Sequence, residues 1–433
     1  MQSPSITSSY LDRYRRLTGS EGAAAPLPVT GAQRRFLLAR RLDPAGRPAL
    51  VPLFFAFPAG SVDVARLEAA AGHLAALHPA LRVRPEVSRG VPVQRLGAPV
   101  GWVREVPVPP GATAAEVLPR ALADWPADGP PLRFFLATGA TEPTGGTEPT
   151  GDTEDVLALV LDHAVCDEQS LGGITDGLTR AYAEGLGPHD IPEARTTAGA
   201  AAYREAVELQ LSAEERASAP AARAYWARRL SGLRPPPPPR DRPGADGTGS
   251  TRLRLPLPAG DGRAAAFPTA LDACARAART LYGAEHVPAL GYPWGGRPAA
   301  AEPVLGCFLN TVAHPADAEG PEARTAAWWD DLDHADAPFD EVVHAVRGAG
   351  APWSGRFDGL LTFEDLGRRP PLRLGGATGR ETHLDDRPLQ APFAVSVSYG
   401  DDLLVRMAWR RSDVDDDRAE DAFAALVSVL ATA

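Results

Sequence analysis

The sequence predicts an α/β fold in two domains, on three grounds. Short apolar runs of strand character recur along the chain, separated by stretches whose apolar residues fall at helical spacing. One run, residues 156–161, is apolar throughout, as a strand covered on both faces must be, and a helical pattern follows within a few residues. Length is the third ground: 433 residues with 44% hydrophobic content can bury a large core and favour two domains over one.

Residues 1–25 are polar and small and are expected to form a flexible leader. Residues 26–44, PLPVTGAQRRFLLARRLDP, then open the fold with a proline-containing turn and a helix that carries Gln33 and Phe36. Residues 50–57 read as a strand, and Asp63 caps a helix whose Val64, Leu67, Leu74 and Leu77 make one apolar face. That helix runs into HPALRVR, residues 78–84. After a strand at 132–137 comes ATEPTGGTEPTGDTED, residues 140–155, in which TEPTG is written twice. Low apolar content with repeated Pro and Gly predicts a flexible loop between neighbouring strands.

Residues 155–182, DVLALVLDHAVCDEQSLGGITDGLTRAY, are the most chemically committed stretch. Alternation along the strand puts Leu157, Leu159, Leu161 and His163 on one face and Val156, Ala158, Val160 and Asp162 on the other. Leu171, Ile174, Leu178 and Tyr182 then recur at helical spacing, with Ser170 available as N-cap and Asp167 and Glu168 where the helix dipole favours negative charge. The pattern is strand, histidine, short loop, helix. Taken alone, a single histidine at a strand end is more often a hydrogen-bonded core residue than a catalyst.

Residues 221–233 read as a helix crossing between the two halves, and the proline run at 235–239 can only be extended. Leu253, Leu255 and Leu257 alternate as a strand, and residues 267–281 read as a helix broken near Pro268. A pair of period-two strands lies in APFAVSVSYGDDLLVRMAW, residues 391–409, and a last helix turns Phe423, Leu426, Val427 and Leu430 to the core.

The net charge of -11 and the pI near 5.4 argue against a nucleic-acid or anionic-membrane surface as the main partner. Cys166, Cys274 and Cys307 are odd in number and lack metal-ligand spacing, so neither a disulfide framework nor a metal site is expected. With no signal-peptide pattern and no run of membrane-spanning length, the expectation is a soluble cytoplasmic protein, monomeric. Lysine is absent and arginine supplies every basic residue, a bias of the kind a GC-rich genome produces.

The segment DHAVCDEQS resembles the HHxxxDGxS signature of the condensation domains of nonribosomal peptide synthetases, relatives of chloramphenicol acetyltransferase. Other matches follow in family order. Residues 26–44 resemble the opening motif through Gln33 and Phe36, and 78–84 resemble RHxxLRT through His78, Leu81 and Arg82. AYWARRLSG resembles AYWxxxLxG. Arg297, Gly306, Phe308, Asn310 and Thr311 match GRxxxxxxxxVGxFxNT, and His334, Pro338 and Phe339 match HxxxPFxxLV. The likeness spans residues 26–430. It implies two α+β sandwich lobes in a V-shaped pseudo-dimer with a central tunnel. The lobes would be residues 26–185 and 251–433, with a crossover helix and Pro-rich connector at 186–250. A latch from the second lobe, residues 367–390, would cover the site. The protein would be free-standing or cut from a larger synthetase of antibiotic or other natural-product biosynthesis.

The resemblance also implies a chemistry: acyl transfer from a thioester on a carrier protein's phosphopantetheine arm to an amine or hydroxyl acceptor, small or carrier-bound, with no cofactor of the domain's own. His163 matches the histidine associated with catalysis, and Asp162 replaces the one before it. Asp167 is expected to be structural, paired in the interior with Arg297, or alternatively with Arg82. Ser170, Gly306, Phe308 and Asn310 are candidates to line the tunnel. Glu168 replaces a glycine and could either raise the pKa of His163 or close the passage. Closure would fit the family's degenerate members, which recruit partners and catalyse nothing, and which also carry an acidic residue here. Asp162, Asp167 and Ser170 further satisfy DxxxxDxxS, the signature of heterocyclization domains, without that group's remaining motifs.

Overall fold

The computed structural model describes residues 4–19, 26–43, 48–125, 129–140, 153–235, 247–257, 266–295, 297, 303–318, 320–384 and 389–432. The duplicated TEPTG segment, the prolines after Pro235 and residues 20–25 of the expected leader lie outside them.

The leader expectation fails for residues 6–18, which form α1 (Ile6–Thr18), capped by the Ser5 side chain. Tyr10 and Leu17 are seven residues apart and fall on one helical face, a periodicity that a polar average hides. Both are buried, and the Tyr10 hydroxyl accepts from Val29 N–H at 2.7 Å and donates to Pro92 O at 3.1 Å. Next comes α2 (Gly31–Leu42), opened by a reciprocal capping box between Thr30 and Gln33.

The first half is built on β1 (Leu50–Pro58), β4 (Val103–Pro107), β5 (Leu132–Ala140) and β6 (Glu154–Asp162), with a separate hairpin of β2 (Val83–Ser88) and β3 (Val91–Leu96). Central β6 is antiparallel to both β1 and β5, and its two faces go to different cores. Leu157, Leu159 and Leu161 pack under α3 (Val64–Leu77) and α5 (Glu168–Glu184). Val156, Ala158 and Val160 pack against α4 (Ala114–Ala123). The alternation read from the sequence is therefore present in space.

A long helix that the motif-by-motif reading passed over, α6 (Glu193–Ala217), lays Tyr203, Ala206, Val207 and Leu211 on the first core. After a turn at Ser218 and Ala219, α7 (Pro220–Arg229) buries Trp226 in the second core, followed by Leu230 and Leu233. The crossing is thus made between α6 and α7, and the helix expected to cross belongs wholly to the second half.

That half carries β7 (Thr248–Leu255), α8 (Ala266–Tyr282), β8 (Ala289–Gly295), β9 (Leu309–Pro315), α9 (Pro321–Leu332), α10 (Phe339–Gly348) and β10 (Gly359–Asp365). Three short strands follow, β11 (Arg373–Leu374), β12 (Ala377–Thr378) and β13 (Arg380–Thr382). The chain ends with β14 (Phe393–Tyr399), β15 (Leu403–Arg410) and α11 (Asp416–Leu430). The second sheet runs β7-β15-β14-β10-β8-β9, with α8 and α11 packed together in its core. No break occurs at Pro268, because a proline in the first turn of α8 removes an N–H that has no intrahelical acceptor.

Between β10 and β14 the chain leaves its own sheet. β13 pairs antiparallel with β1, so the first sheet reads β13-β1-β6-β5-β4 and takes its edge strand from the other half. This excursion falls in the stretch expected to act as a latch, of which residues 385–388 lie outside the described residues. Among the described residues no helix is long and apolar enough to cross a membrane.

Candidate functional site

Strand β6 ends at Asp162, and the chain turns through a single 3-10 turn, His163–Val165, before α5 begins. Asp162 faces away from the histidine, as strand alternation requires: its Oδ1 accepts from Ala164 N–H at 2.9 Å and its Oδ2 lies 3.6 Å from Arg40 Nη1. Burial raises the Asp162 pKa, opposed by that N–H and by Arg40. Its part is to hold the turn.

His163 Nδ1 lies 3.0 Å from the carbonyl oxygen of Cys166. A carbonyl only accepts, so Nδ1 carries the proton and the lone pair is left on Nε2. Nε2 has no hydrogen-bond partner among the described residues. The ring stacks on Phe36 of α2, centroids 4.4 Å apart at 25°. Burial lowers the imidazole pKa, with the Cys166 carbonyl and Asp167 opposing and Arg35 adding to the fall. At neutral pH the group is an uncharged base of fixed tautomer.

The loop is clasped from the other half. Asp167, and not Ser170, is the N-cap of α5, accepting at Oδ1 from Ser170 N–H at 3.1 Å. The same oxygen takes Arg297 Nη2 at 2.5 Å, while Oδ2 accepts from Phe308 N–H at 3.1 Å. Arg297 also donates to Val304 O and lies 4.9 Å over the Phe308 ring. The expected Asp167–Arg297 pair is present, whereas Arg82, the other candidate, donates to Gly97 O at 3.3 Å.

Three of the residues expected to line the tunnel take part in the clasp. Ser170, Gly306 and Phe308 are buried and engaged in this clasp, where Ser170 Oγ accepts from Gly306 N–H at 3.1 Å and a Cβ on Gly306 would overlap the Phe308 ring. Asn310 does border a cleft, yet its amide donates to Ala335 O and Ala337 O and accepts from Phe339 N–H, tying β9 to the start of α10.

Glu168 is held by an arginine of the second half. Its Oε1 accepts from Arg369 Nη2 at 2.8 Å, and Arg369 Nη1 donates to Glu381 Oε1 of β13 at 2.8 Å. The carboxylate therefore fastens the excursion onto the first turn of α5. Arg369 is a site residue the motif reading missed; its only sequence signal was the arginine content of residues 367–390.

His78 and His334 are not brought to His163. His78 caps α3, and burial pushes its pKa down to about 4. His334 lies against Tyr225, ring centroids 4.0 Å apart. All three cysteines are free and buried, and burial raises the Cys166 and Cys307 thiols well above their ordinary range, which disfavours the thiolate. No cluster of metal-ligating side chains occurs among the described residues.

A small cleft lies on the seam between the halves, with Phe36, the ring stacked on His163, in its wall. It is bordered by Gly31, Arg35 and Phe36 of α2, Asn310 and Thr311 of β9, and Phe339 of α10. Arg35 Nη1 donates to Thr311 Oγ1, and its guanidinium lies 4.4 Å over the Phe339 ring.

No family model matches the sequence, and no curated protein sequence matches it. Solved structures do. The X-domain from teicoplanin biosynthesis, in its complex with OxyB, is similar at 21% identity over 94% of this chain and 93% of its own, with a TM-score of 0.64. The first condensation domain of the calcium-dependent antibiotic synthetase, bound to a substrate analogue, is similar at 20% identity over 94% and 96%, TM-score 0.65. A variant of the starter condensation domain of rhizomide synthetase in complex with C8-CoA is similar at 17% identity over 96% of each chain, TM-score 0.67. The chain has the two-lobed, chloramphenicol-acetyltransferase-like fold of condensation domains.

Proposed function

We propose that the chain is a condensation-type acyltransferase, joining a carrier-bound acyl or aminoacyl thioester to an amine or hydroxyl acceptor, with amide formation preferred over ester. The observation that carries this reading is the state of His163: Nδ1–H committed to Cys166 O, Nε2 without a partner among the described residues, and a pKa held down by burial. As the acceptor attacks the thioester carbonyl, Nε2 takes its proton. When the tetrahedral intermediate collapses, the C–S bond breaks and the same proton passes to the departing thiolate. Such a base typically contributes ~10²–10⁴-fold. Asp167 and Arg297 act by holding the loop in which Nδ1 finds its acceptor. The donor would arrive on the phosphopantetheine arm of a carrier protein, and the domain would need no cofactor of its own.

The test is intact-mass detection of acyl transfer between candidate carrier proteins and small acceptors. His163→Ala should cut transfer by ~10²–10⁴-fold while leaving the fold intact; full activity in that variant would refute the reading.

The competing reading is a domain that recruits a partner and catalyses nothing, and the similarity to the X-domain seen with OxyB favours it. Co-purification of a partner protein, with no transfer to any carrier and no loss on His163→Ala, would select it. Heterocyclization gains no support from the geometry, because Asp162 is engaged by Ala164 N–H and Arg40.

A further inference from the structure

Two adjacent arginines of α2 are treated differently by the fold. Arg34 is matched by carboxylates, its Nε 3.2 Å from Asp340 Oδ2 and its Nη1 3.7 Å from Glu214 Oε2. Among the described residues no carboxylate lies within ion-pair distance of Arg35, and Asp340 acts on it only from further away. Its hydrogen bond goes to a neutral hydroxyl, Thr311 Oγ1, and its guanidinium lies on the Phe339 ring at the seam. Its other N–H groups have no partner among the described residues, and it borders the cleft. Burial pushes its pKa down to about 10, so it is still fully charged at neutral pH. A desolvated cation whose acidic neighbour, Asp340, already pairs with Arg34 gains from a further anion.

The cleft also sits beside the base. Phe36 forms one wall and stacks on His163 with its ring, and the Arg35 charge is felt at the imidazole. We propose that Arg35 is a specificity residue that binds a carboxylate of the substrate, so that the molecule handled beside His163 carries a free acid group. This rests on the acyl-transfer reading for its meaning, but not for its test. The fork of a guanidinium accepts both oxygens of a carboxylate, and such charge-assisted pairs are roughly twice as strong as neutral ones. Phe36 and Phe339 would cover the apolar part of the same molecule. The carboxylate could belong to the acceptor, which would then be a free acid and not a carrier-bound thioester, or to the far end of the acyl donor.

Binding to the intact protein distinguishes these sources by calorimetry. The acceptor arm compares phenylalanine with phenylalaninamide, and the donor arm compares the glutaryl thioester of N-acetylcysteamine with the corresponding glutaramyl amide. In at least one arm the acid should bind at least about tenfold more tightly than its amide, and Arg35→Gln should abolish that preference. The arm that shows it identifies the source. Absence of an acid preference in both arms, or its persistence in Arg35→Gln, overturns the proposal. If Arg35→Gln does not fold, Thr311→Val carries the test by removing the oxygen that positions the guanidinium: a reduced preference supports the proposal and an unchanged one overturns it. His163→Ala should keep the preference while losing transfer, so failure of the acyl-transfer reading and failure of the carboxylate site give different results.

Discussion

Removing the Asp167 carboxylate is the perturbation whose size the structure defines best. Asp167 is 4% exposed and Arg297 19%, and the carboxylate takes N–H groups from Ser170, Phe308 and Arg297. Asp167→Ala would leave a largely buried guanidinium without its counter-charge and the first turn of α5 without its cap. Breaking a buried pair from one side costs ~3–5 kcal/mol, and loss of an N-cap alone about 1 kcal/mol. Arg297 keeps Val304 O and some access to water, which places the expected loss near the lower figure. For a lobe of this size, ~3 kcal/mol corresponds to a fall of roughly 6–12 °C in melting temperature. The assay is thermal and urea unfolding of Asp167→Ala, Arg297→Met and the double variant. The double variant should lose clearly less than the sum of the singles, because once one charge is gone the other has nothing left to lose. A melting temperature for Asp167→Ala equal to wild type, or strict additivity across the cycle, would refute the reasoning.

Two further outcomes follow from charges elsewhere. Glu168→Gln breaks a half-exposed ion pair to Arg369, so stability should fall by only ~0.2–1 kcal/mol and transfer should stay within a modest factor of wild type, while limited proteolysis should cut residues 366–384 faster; a gain of activity from nothing would restore the view of Glu168 as a plug. His78 has a folded pKa of about 4, below its unfolded value of about 6.5, so its stabilising contribution is complete above pH 6.5 and is lost as pH falls toward 4. His78→Gln should flatten the stability profile across that window, measured by urea midpoints at pH 7, 5.5 and 4.5; a profile unchanged by the substitution would contradict the buried-histidine assignment.

The sequence by itself determined whatever depends on near neighbours along the chain. Strand β6, its two-faced alternation, the turn at His163 and the helix α5 all follow from apolar periodicity within about 25 residues. Periodicity misled where it was averaged away, as in α1, where Tyr10, Leu11 and Leu17 lie among arginines and serines. The Asp167–Arg297 pair spans 130 positions and was legible only through motif likeness; no local pattern marks Arg297 as its partner. Tertiary structure decided the rest. Glu168 had several directions open to it, and what selects one is Arg369, 201 residues away on a segment that leaves its own sheet to pair with β1. Arg34 and Arg35 are indistinguishable in sequence, yet one meets two carboxylates and the other meets a hydroxyl and an aromatic ring. Backbone periodicity is a local property, whereas the partner of a charged side chain at a seam depends on how the two sheets are brought together.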